Sequence, residues 1–286
     1  MKIIGMMPVR NEEHILGFSA RVALEWVDEL VVLLHECTDG SLGIAQHLAY
    51  DDGPGGRVEI VTVDGSWDEM RHRQQMLDLA RRNGATHLAI IDADEVLTAN
   101  LLPTIRQTIE LCPRQSLLEV PLYNLRGGVD RYHQNGTWGQ RIVSLAFPDD
   151  ERLGWSGDQF HSRVPGPLTL RAYRPIQQGM GGVLHFWGAS ERRLAAKHRY
   201  YKIVERLKFP DKPVAEIERM YNWAFQGQRP GEAGTWQFAF TRPEWTAGYE
   251  DLMREHLHLD VEPWQEAWCD EQIRIHGHEK FIGLSV

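Results

Sequence analysis

The N-terminal part of the chain alternates short apolar runs with amphipathic segments. Apolar runs at residues 2–7, 30–34, 58–63 and 87–91 predict four strands. Between them, apolar side chains recur at helical spacing in the segment after Asn11, in the segment ending near Tyr50 and in residues 67–83. The run at 30–34 contains no polar residue, as in strands that helices cover on both faces. The pattern therefore predicts an α/β domain with a mostly parallel sheet.

Each predicted strand is followed by polar residues. Arg10, Asn11 and Glu12 follow the first strand, where Asn11 is predicted to cap the next helix. The loop of residues 35–39 follows the second strand, Asp64 the third and residues 92–95 the fourth. Ligands in such sheets bind at the carboxyl ends of the strands, so we expect these residues to share one site.

Two aspartates after the fourth predicted strand carry the clearest chemistry. Asp92 and Asp94 are two positions apart, so an extended segment would point both carboxylates the same way. Oxygen ligands of this kind suit Mg²⁺ or Mn²⁺, which commonly bridge carboxylates to substrate phosphates. An ion there would neutralise a departing diphosphate. Acidic residues are also common in loops and caps, so an ordinary structural role is the alternative.

Four segments together resemble a known family. Residues 8–12 (PVRNE), 37–41 (CTDGS), 71–75 (RHRQQ) and 89–95 (AIIDADE) are similar, in order and spacing, to the family 2 glycosyltransferases of the GT-A fold. The resemblance covers roughly residues 1–190. It implies a Rossmann-type α/β/α sandwich that binds a nucleotide-diphosphate sugar with Mn²⁺ or Mg²⁺ and transfers the sugar with inversion in a single displacement.

The resemblance also implies roles for individual residues. Asp94 would hold the metal ion together with Asp92, and His185 would complete the metal shell. Arg73 would approach the diphosphate, although a solvated helix position is the alternative for it. The remaining nucleotide-sugar contacts would come from Pro8, Val9, Arg10, Glu12, Glu36, Asp39, Asp64, Asp92 and Ala93.

The following segment is expected to supply the acceptor side of the site. Residues 116–123 and 141–147 predict strands, and a last strand ends near His185. The family's acid-base residue falls in a loop of this region, which makes Asp158 the candidate general base and His161 its rival. Trp138, Trp155 and Trp187 lie beside these loops, where an indole can stack on the apolar face of an acceptor sugar.

The C-terminal part changes to a helical pattern. Helices are predicted at residues 191–209, 214–225 and 244–256, the first capped by Ser190. We therefore predict a catalytic domain at 1–189, with a donor half at 1–115 and an acceptor half at 116–189, and a helical extension at 190–286. Five of the ten tryptophans lie in this tail, where packing is their expected role: Trp223, Trp236, Trp245, Trp264 and Trp268.

Composition and charge exclude several classes of protein. With 31 basic and 40 acidic side chains the 286-residue chain carries a formal charge of −9, which disfavours sequence-independent DNA binding. Three widely spaced cysteines argue against a disulfide framework. No apolar run approaches the roughly 20 residues of a membrane span. The early charges near the N-terminus do not fit a secretory signal. We expect a cytoplasmic protein.

The sequence thus predicts a metal-dependent glycosyltransferase with a UDP-sugar as the favoured donor. The acceptor stays open among glycans, natural products, peptides and nucleobases. One alternative is a sugar-phosphate nucleotidyltransferase, although the segment PVRNE after the first strand lacks the glycine-rich signature expected of one. The other is a non-catalytic nucleotide- or carbohydrate-binding protein, which would have no need of Asp92 and Asp94.

Overall fold

The computed structural model describes residues 1–51, 56–157, 163–226 and 237–286, with the backbone alone for 223–226. The strands of this part are β1 (Ile3–Val9), β2 (Glu29–His35), β3 (Val58–Val63), β4 (His87–Ile90), β5 (Glu95–Leu97), β6 (Ser116–Arg126), β7 (Arg131–His133), β8 (Arg141–Pro148), β9 (Arg171–Tyr173), β10 (Val183–Gly188) and β11 (Phe238–Phe240). Its α-helices are α1 (Leu16–Leu24), α2 (Ser41–Asp51), α3 (Glu69–Arg82), α4 (Leu102–Glu110), α5 (Glu191–Lys208), α6 (Val214–Gln226), α7 (Glu250–His256) and α8 (Trp264–His276). Short 3₁₀ helices lie at Ala99–Leu101, Pro243–Trp245 and His278–Phe281.

The chain divides into two compact units, each built from several segments. Unit 1 contains Met1–Leu122, Arg141–Leu184 and Arg242–His258. Unit 2 contains Tyr123–Gln140, His185–Thr241 and Leu259–Val286. The sequence suggested one boundary at 189/190, whereas the contacts divide the chain at five places because β6 and β10 each extend from one unit into the other.

Unit 1 is built on a sheet with a parallel centre. β1 pairs in parallel with β2 and β4, and β2 pairs in parallel with β3. β8 is antiparallel to both β4 and β6. The run of apolar residues in β2 is buried from Leu30 to Leu34, as the parallel-sheet prediction requires. The predicted α/β class is confirmed.

Helices cover both faces of this sheet. Side chains alternate between the faces along each strand, so Met7 and Val32 belong to one apolar cluster whereas Met6 and Val31 belong to the other. α1, α2 and α4 contribute to the first cluster, and α3 contributes Met76 to the second. Trp26, predicted to be a core residue, is 2% exposed. Unit 1 is therefore a three-layer arrangement whose strand ends emerge between helices.

Unit 2 is mainly helical. Its β-structure joins β7 to β11 and to the end of β6 in antiparallel pairs. α5, α6 and α8 enclose an apolar cluster that includes Ile203, Ile217 and Cys269. Ser190 accepts a hydrogen bond from the backbone N–H of Arg193 and so caps α5, as predicted. Most of the predicted tail is thus helical.

Three local predictions differ from the structure. Asn11 does not cap α1, which begins at Leu16, because the Asn11 side chain bonds to Thr38 instead. α7 is shorter than predicted, since Pro243 starts a 3₁₀ turn before it. α4 and α8 were not predicted. Among the described residues, none of the helices combines the length and the hydropathy needed to cross a membrane.

Candidate active site

The polar residues after the parallel strands of unit 1 do lie along one edge of its sheet. β4, β1, β2 and β3 are neighbours in that order and run in the same direction, so their carboxyl ends face the same way. The loops beyond these ends contain Arg10, Glu36, Asp64 and Asp92. This edge of unit 1 is the candidate active site.

Two of these loops are fastened to each other. Asn11 Oδ1 accepts a hydrogen bond from the Thr38 N–H at 2.7 Å, and Asn11 has a positive φ of 55° that this residue type tolerates. The Asp39 carboxylate accepts from the N–H groups of Glu13 and Ser41, each at 3.0 Å. Asp39, predicted to contact the nucleotide, therefore uses both of its oxygens to fix the loops.

A group of three rings lies behind the ends of β2 and β3. His35, Trp67 and His72 have ring centroids 5.0–5.1 Å apart. His35 and His72 are fully buried, and His35 Nε2 lies 2.8 Å from the carbonyl oxygen of Gly65, which assigns its proton to Nε2. Burial lowers the pKa of His72, and the neighbouring His35 adds to that shift. The two imidazoles form a neutral wall beneath this part of the edge.

Acids and arginines form an alternating chain at the end of β4. It runs from Glu69 through Arg73, Asp92 and Arg163 to Glu95. Arg73 bonds Glu69 at 3.0 Å and Asp92 at 3.4 Å. Arg163 donates to Asp92 at 2.7 Å and to both Glu95 oxygens at 2.8 and 2.5 Å. Three carboxylates and two guanidinium groups leave the chain with one net negative charge.

Arg163 is completely committed to this arrangement. Besides the two carboxylates, its Nε donates to the Ser144 carbonyl at 2.9 Å and its Nη2 to the Ile90 carbonyl at 2.8 Å. A guanidinium has five N–H donors, and these contacts use all of them. Burial by itself would lower the pKa of Arg163, but the carboxylates of Asp92 and Glu95 raise it above its ordinary value.

The carboxylates at this edge suit a metal ion only in part. Both Asp92 oxygens are directed at arginines, so a metal ion would have to displace one of them. Asp94 is half-buried and has no such arginine bond among the described contacts. The described residues contain no group of three or more His, Cys, Asp or Glu side chains that could hold a metal ion. A magnesium or manganese ion can nevertheless be held by one carboxylate when phosphates supply further ligands, so Asp94 fits such an ion and Asp92 does not.

The other predicted nucleotide contacts are distributed unevenly. Arg10 lies 3.7 Å from Glu36, and Asp64 is exposed. Val9 and Ala93 are only 1% and 4% exposed, so they can offer a ligand little beyond their backbone groups. Beyond them, Pro8 is half-buried within β1 and Glu12 is half-buried in the loop after it.

A cavity of about 680 Å³ lies beside α3 in unit 1. Arg71, Gln74 and Gln75 line it from the helix, and residues 155–157 line it from the opposite side. Gln74 Oε1 accepts a hydrogen bond from the Trp155 N–H at 2.7 Å. The Trp155 ring is 5% exposed and packs against Phe147, so its predicted stacking on an acceptor would use only a small part of the indole.

In unit 2 an oriented histidine lies among tryptophans. His185 and Trp187 are stacked with centroids 6.3 Å apart, and Trp138 lies 4.6 Å from Trp187. The Asn124 amide donates to the Trp138 carbonyl at 2.8 Å, which leaves Asn124 Oδ1 as the acceptor for His185 Nδ1 at 2.7 Å. His185 therefore carries its proton on Nδ1 and its lone pair on Nε2.

Two predicted catalytic residues cannot be placed. Asp158 and His161 lie outside the described residues. Conversely, sequence reasoning assigned no role to Arg163, Glu69 or Glu95, which complete the charge chain. Glu95 directly follows Asp94 and was visible as part of the acidic run, whereas Arg163 is separated from Asp92 by 71 residues and no local pattern marks it.

Comparisons with known proteins give distant structural likenesses. No protein-family model matches the chain, and no curated protein matches it. TarS from S. aureus is 12% identical over 79% of this chain and 43% of that chain, with a TM-score of 0.45. TarS 1–349 in complex with UDP is 12% identical over 77% of this chain and 70% of that chain, with a TM-score of 0.46. Glucosyl-3-phosphoglycerate synthase from Mycobacterium tuberculosis, in complex with Mg²⁺ and UDP, is 17% identical over 43% of each chain, with a TM-score of 0.30.

These likenesses are partial. The chain spans 43% of the length of TarS and of the synthase. All three TM-scores lie below 0.5, and we therefore base the function on the geometry of this chain's own residues.

Proposed function

We propose that the chain is a metal-dependent glycosyltransferase that binds a nucleotide-diphosphate sugar at the carboxyl edge of the unit 1 sheet. The observation that carries this proposal is the charge chain together with Asp94. Asp94 adds a fourth carboxylate beside two guanidinium groups, which leaves two net negative charges at the strand ends. A single divalent cation would balance that charge. Open parallel sheets bind their ligands at such an edge.

Asp94 would hold Mn²⁺ or Mg²⁺ in this proposal. When bound, the ion would stabilise negative charge on the departing diphosphate as a Lewis acid. Arg73 is held by Glu69 and Asp92 at the same edge, and a guanidinium in that position suits a phosphate oxygen. The resemblance of residues 8–12, 37–41, 71–75 and 89–95 to family 2 glycosyltransferases supports the same donor class and favours UDP.

The transfer would proceed by one displacement. An acceptor hydroxyl oxygen forms a bond to the anomeric carbon while the bond from that carbon to the diphosphate breaks, and the nucleoside diphosphate leaves. The acceptor proton passes to a general base, which must lie opposite the leaving group for an in-line attack. Asp158 and His161 remain the candidates from sequence. His185 is a third candidate, because Asn124 fixes its tautomer with the lone pair on Nε2.

The acceptor side is proposed to involve the aromatic residues of unit 2. Trp138 and Trp187 are half-buried, so part of each indole is open to a ligand. Indole faces stack on the apolar face of a sugar ring while the N–H stays available for a hydrogen bond. A carbohydrate-containing acceptor fits this surface best.

Calorimetric titration with nucleoside diphosphates tests the donor assignment directly. We expect at least one of UDP, GDP and dTDP to bind more tightly with Mn²⁺ than with EDTA. Asp94→Asn should remove that metal effect, whereas Asp251→Asn, which changes an exposed aspartate on α7 of the same unit, should retain it. Binding of none of the three nucleotides in the presence of Mn²⁺ would rule out the proposed donor class.

A further inference from the structure

The search for an additional role centres on Arg163, because the proposed reaction does not use it and its contacts are unusually complete. Its side chain is 15% exposed and all five N–H donors are taken by Asp92, Glu95 and two backbone carbonyls. To bind a phosphate, the guanidinium would have to give up one of these bonds. Arg163 is therefore built to act on the acids beside it and not on a ligand.

The consequence for Asp92 and Glu95 is the loss of their availability as metal ligands. Glu95 is 5% exposed and both of its oxygens accept from Arg163. Asp92 accepts from Arg163 on Oδ2 and faces Arg73 from Oδ1. Without Arg163, these two acids and Asp94 would lie within a four-residue turn, which the bond from the Glu95 N–H to the Asp92 carbonyl closes at 2.9 Å.

We propose that Arg163 is a positioning residue that holds Asp92 and Glu95 away from metal coordination, so that Asp94 is the one carboxylate of this turn that binds the ion. The inference deepens the proposed glycosyltransferase site and rests on it. It has a physical consequence in the absence of any nucleotide. With two of the three acids occupied, the protein alone offers too few ligands for tight binding, and the ion binds together with a diphosphate.

Titration with Mn²⁺ alone tests this directly. Wild-type protein should show no saturable binding at millimolar Mn²⁺ without nucleotide. Arg163→Gln releases two carboxylates next to Asp94, so its apparent affinity for Mn²⁺ should rise roughly tenfold or more, because affinity follows the number of charged oxygen ligands. Mn²⁺ should also raise the Tm of Arg163→Gln more than that of the wild type, since an ion that binds the folded state stabilises it.

Arg81→Gln is the matched control. Arg81 also bonds a carboxylate, that of Asp149, together with the carbonyls of Asp150 and Leu153, but it releases no acid at the strand edge. Its response to Mn²⁺ should equal that of the wild type. A folded Arg163→Gln protein with the wild-type response to Mn²⁺ would overturn the proposal, as would tight binding of Mn²⁺ to the wild type without nucleotide.

A second pair of variants decides the matter if Arg163→Gln does not fold. We compare how strongly Mn²⁺ tightens UDP binding in Asp92→Asn and in Asp94→Asn. The metal effect should persist in Asp92→Asn and disappear in Asp94→Asn, and its equal loss in both would contradict the proposal. If UDP, GDP and dTDP all fail to bind wild-type protein, the proposed function fails, while the titrations with Mn²⁺ alone still judge the role of Arg163.

Discussion

His185 donates from Nδ1 to Asn124 Oδ1 over 2.7 Å, and the Asn124 amide is itself fixed by the Trp138 carbonyl. The asparagine therefore decides which imidazole nitrogen presents a lone pair. This arrangement serves a metal ligand and a general base equally, since both require an unprotonated nitrogen. The orientation of His185 is thus a property of unit 2 that mutation can test.

Asn124→Ala should lower transferase activity about 10- to 100-fold, the usual effect of losing a group that orients a catalytic or metal-binding histidine. The imidazole would then lose both its fixed tautomer and its fixed rotation. Asn222→Ala is the control, because Asn222 is an amide of the same unit that bonds only to Glu218 among the described contacts. Equal activity in the two variants would show that the contact between Asn124 and His185 has no functional importance.

Asp94→Ala should abolish transfer with little effect on the stability of the metal-free protein. Asp94 is half-buried at a strand end and lies outside the apolar clusters, so its removal should change the free energy of unfolding by less than about 0.5 kcal/mol. Urea denaturation in EDTA measures this. A large loss of stability would instead give Asp94 a structural role.

The sheet of unit 1 was predictable because its signal is local. Each strand is a short apolar run, and the buried run from Leu30 to Leu34 indicated cover on both faces without further information. The position of the candidate site followed from the same pattern. Trp155 was harder, because its sequence surroundings are those of a polar loop and its burial against Phe147 depends on the tertiary fold.

The contacts at the candidate site were predictable only in part. Asp92 and Asp94 announce themselves by their spacing after a strand. Their difference does not, since it depends on the bond from Arg163, 71 residues away from Asp92. Similarly, Asn11 precedes a helix as caps do, but Thr38 provides a competing partner from another loop. Pairings of this kind require the folded chain.

Acid should destabilise the protein before its carboxylates protonate, because two histidines of unit 2 are buried. Burial is the largest cause that lowers the pKa of His133 to about 4, with Arg126 adding to it. Burial likewise lowers the pKa of His198 to about 4, with Lys197 adding to it. An unfolded chain binds these protons near pH 6.5. The unfolded state therefore takes up more protons below that pH, and the free energy of unfolding falls between about pH 6.5 and pH 4.

Denaturation curves at several pH values across this range measure the effect. His198→Gln removes one of the two groups and should give a shallower dependence of stability on pH. The control is His47→Gln, which changes an exposed histidine of α2 and should keep the wild-type dependence. An unchanged slope in His198→Gln would show that this histidine does not contribute.

Trp187 and Trp245 should respond in opposite ways to truncation, because only one of them has an open face. Trp245 is 1% exposed in unit 1, so Trp245→Ala should lower the free energy of unfolding by about 3–5 kcal/mol. Trp187 is half-buried in unit 2 and next to Trp138, so its loss should mainly weaken sugar binding. Trp187→Ala should weaken the binding of methyl glycosides about 3- to 10-fold in saturation-transfer NMR, as expected for one stacking contact. Trp187→Phe should restore most of that binding because it keeps an aromatic face. Glycoside binding that is identical in Trp187→Ala and the wild type would remove Trp187 from the acceptor surface.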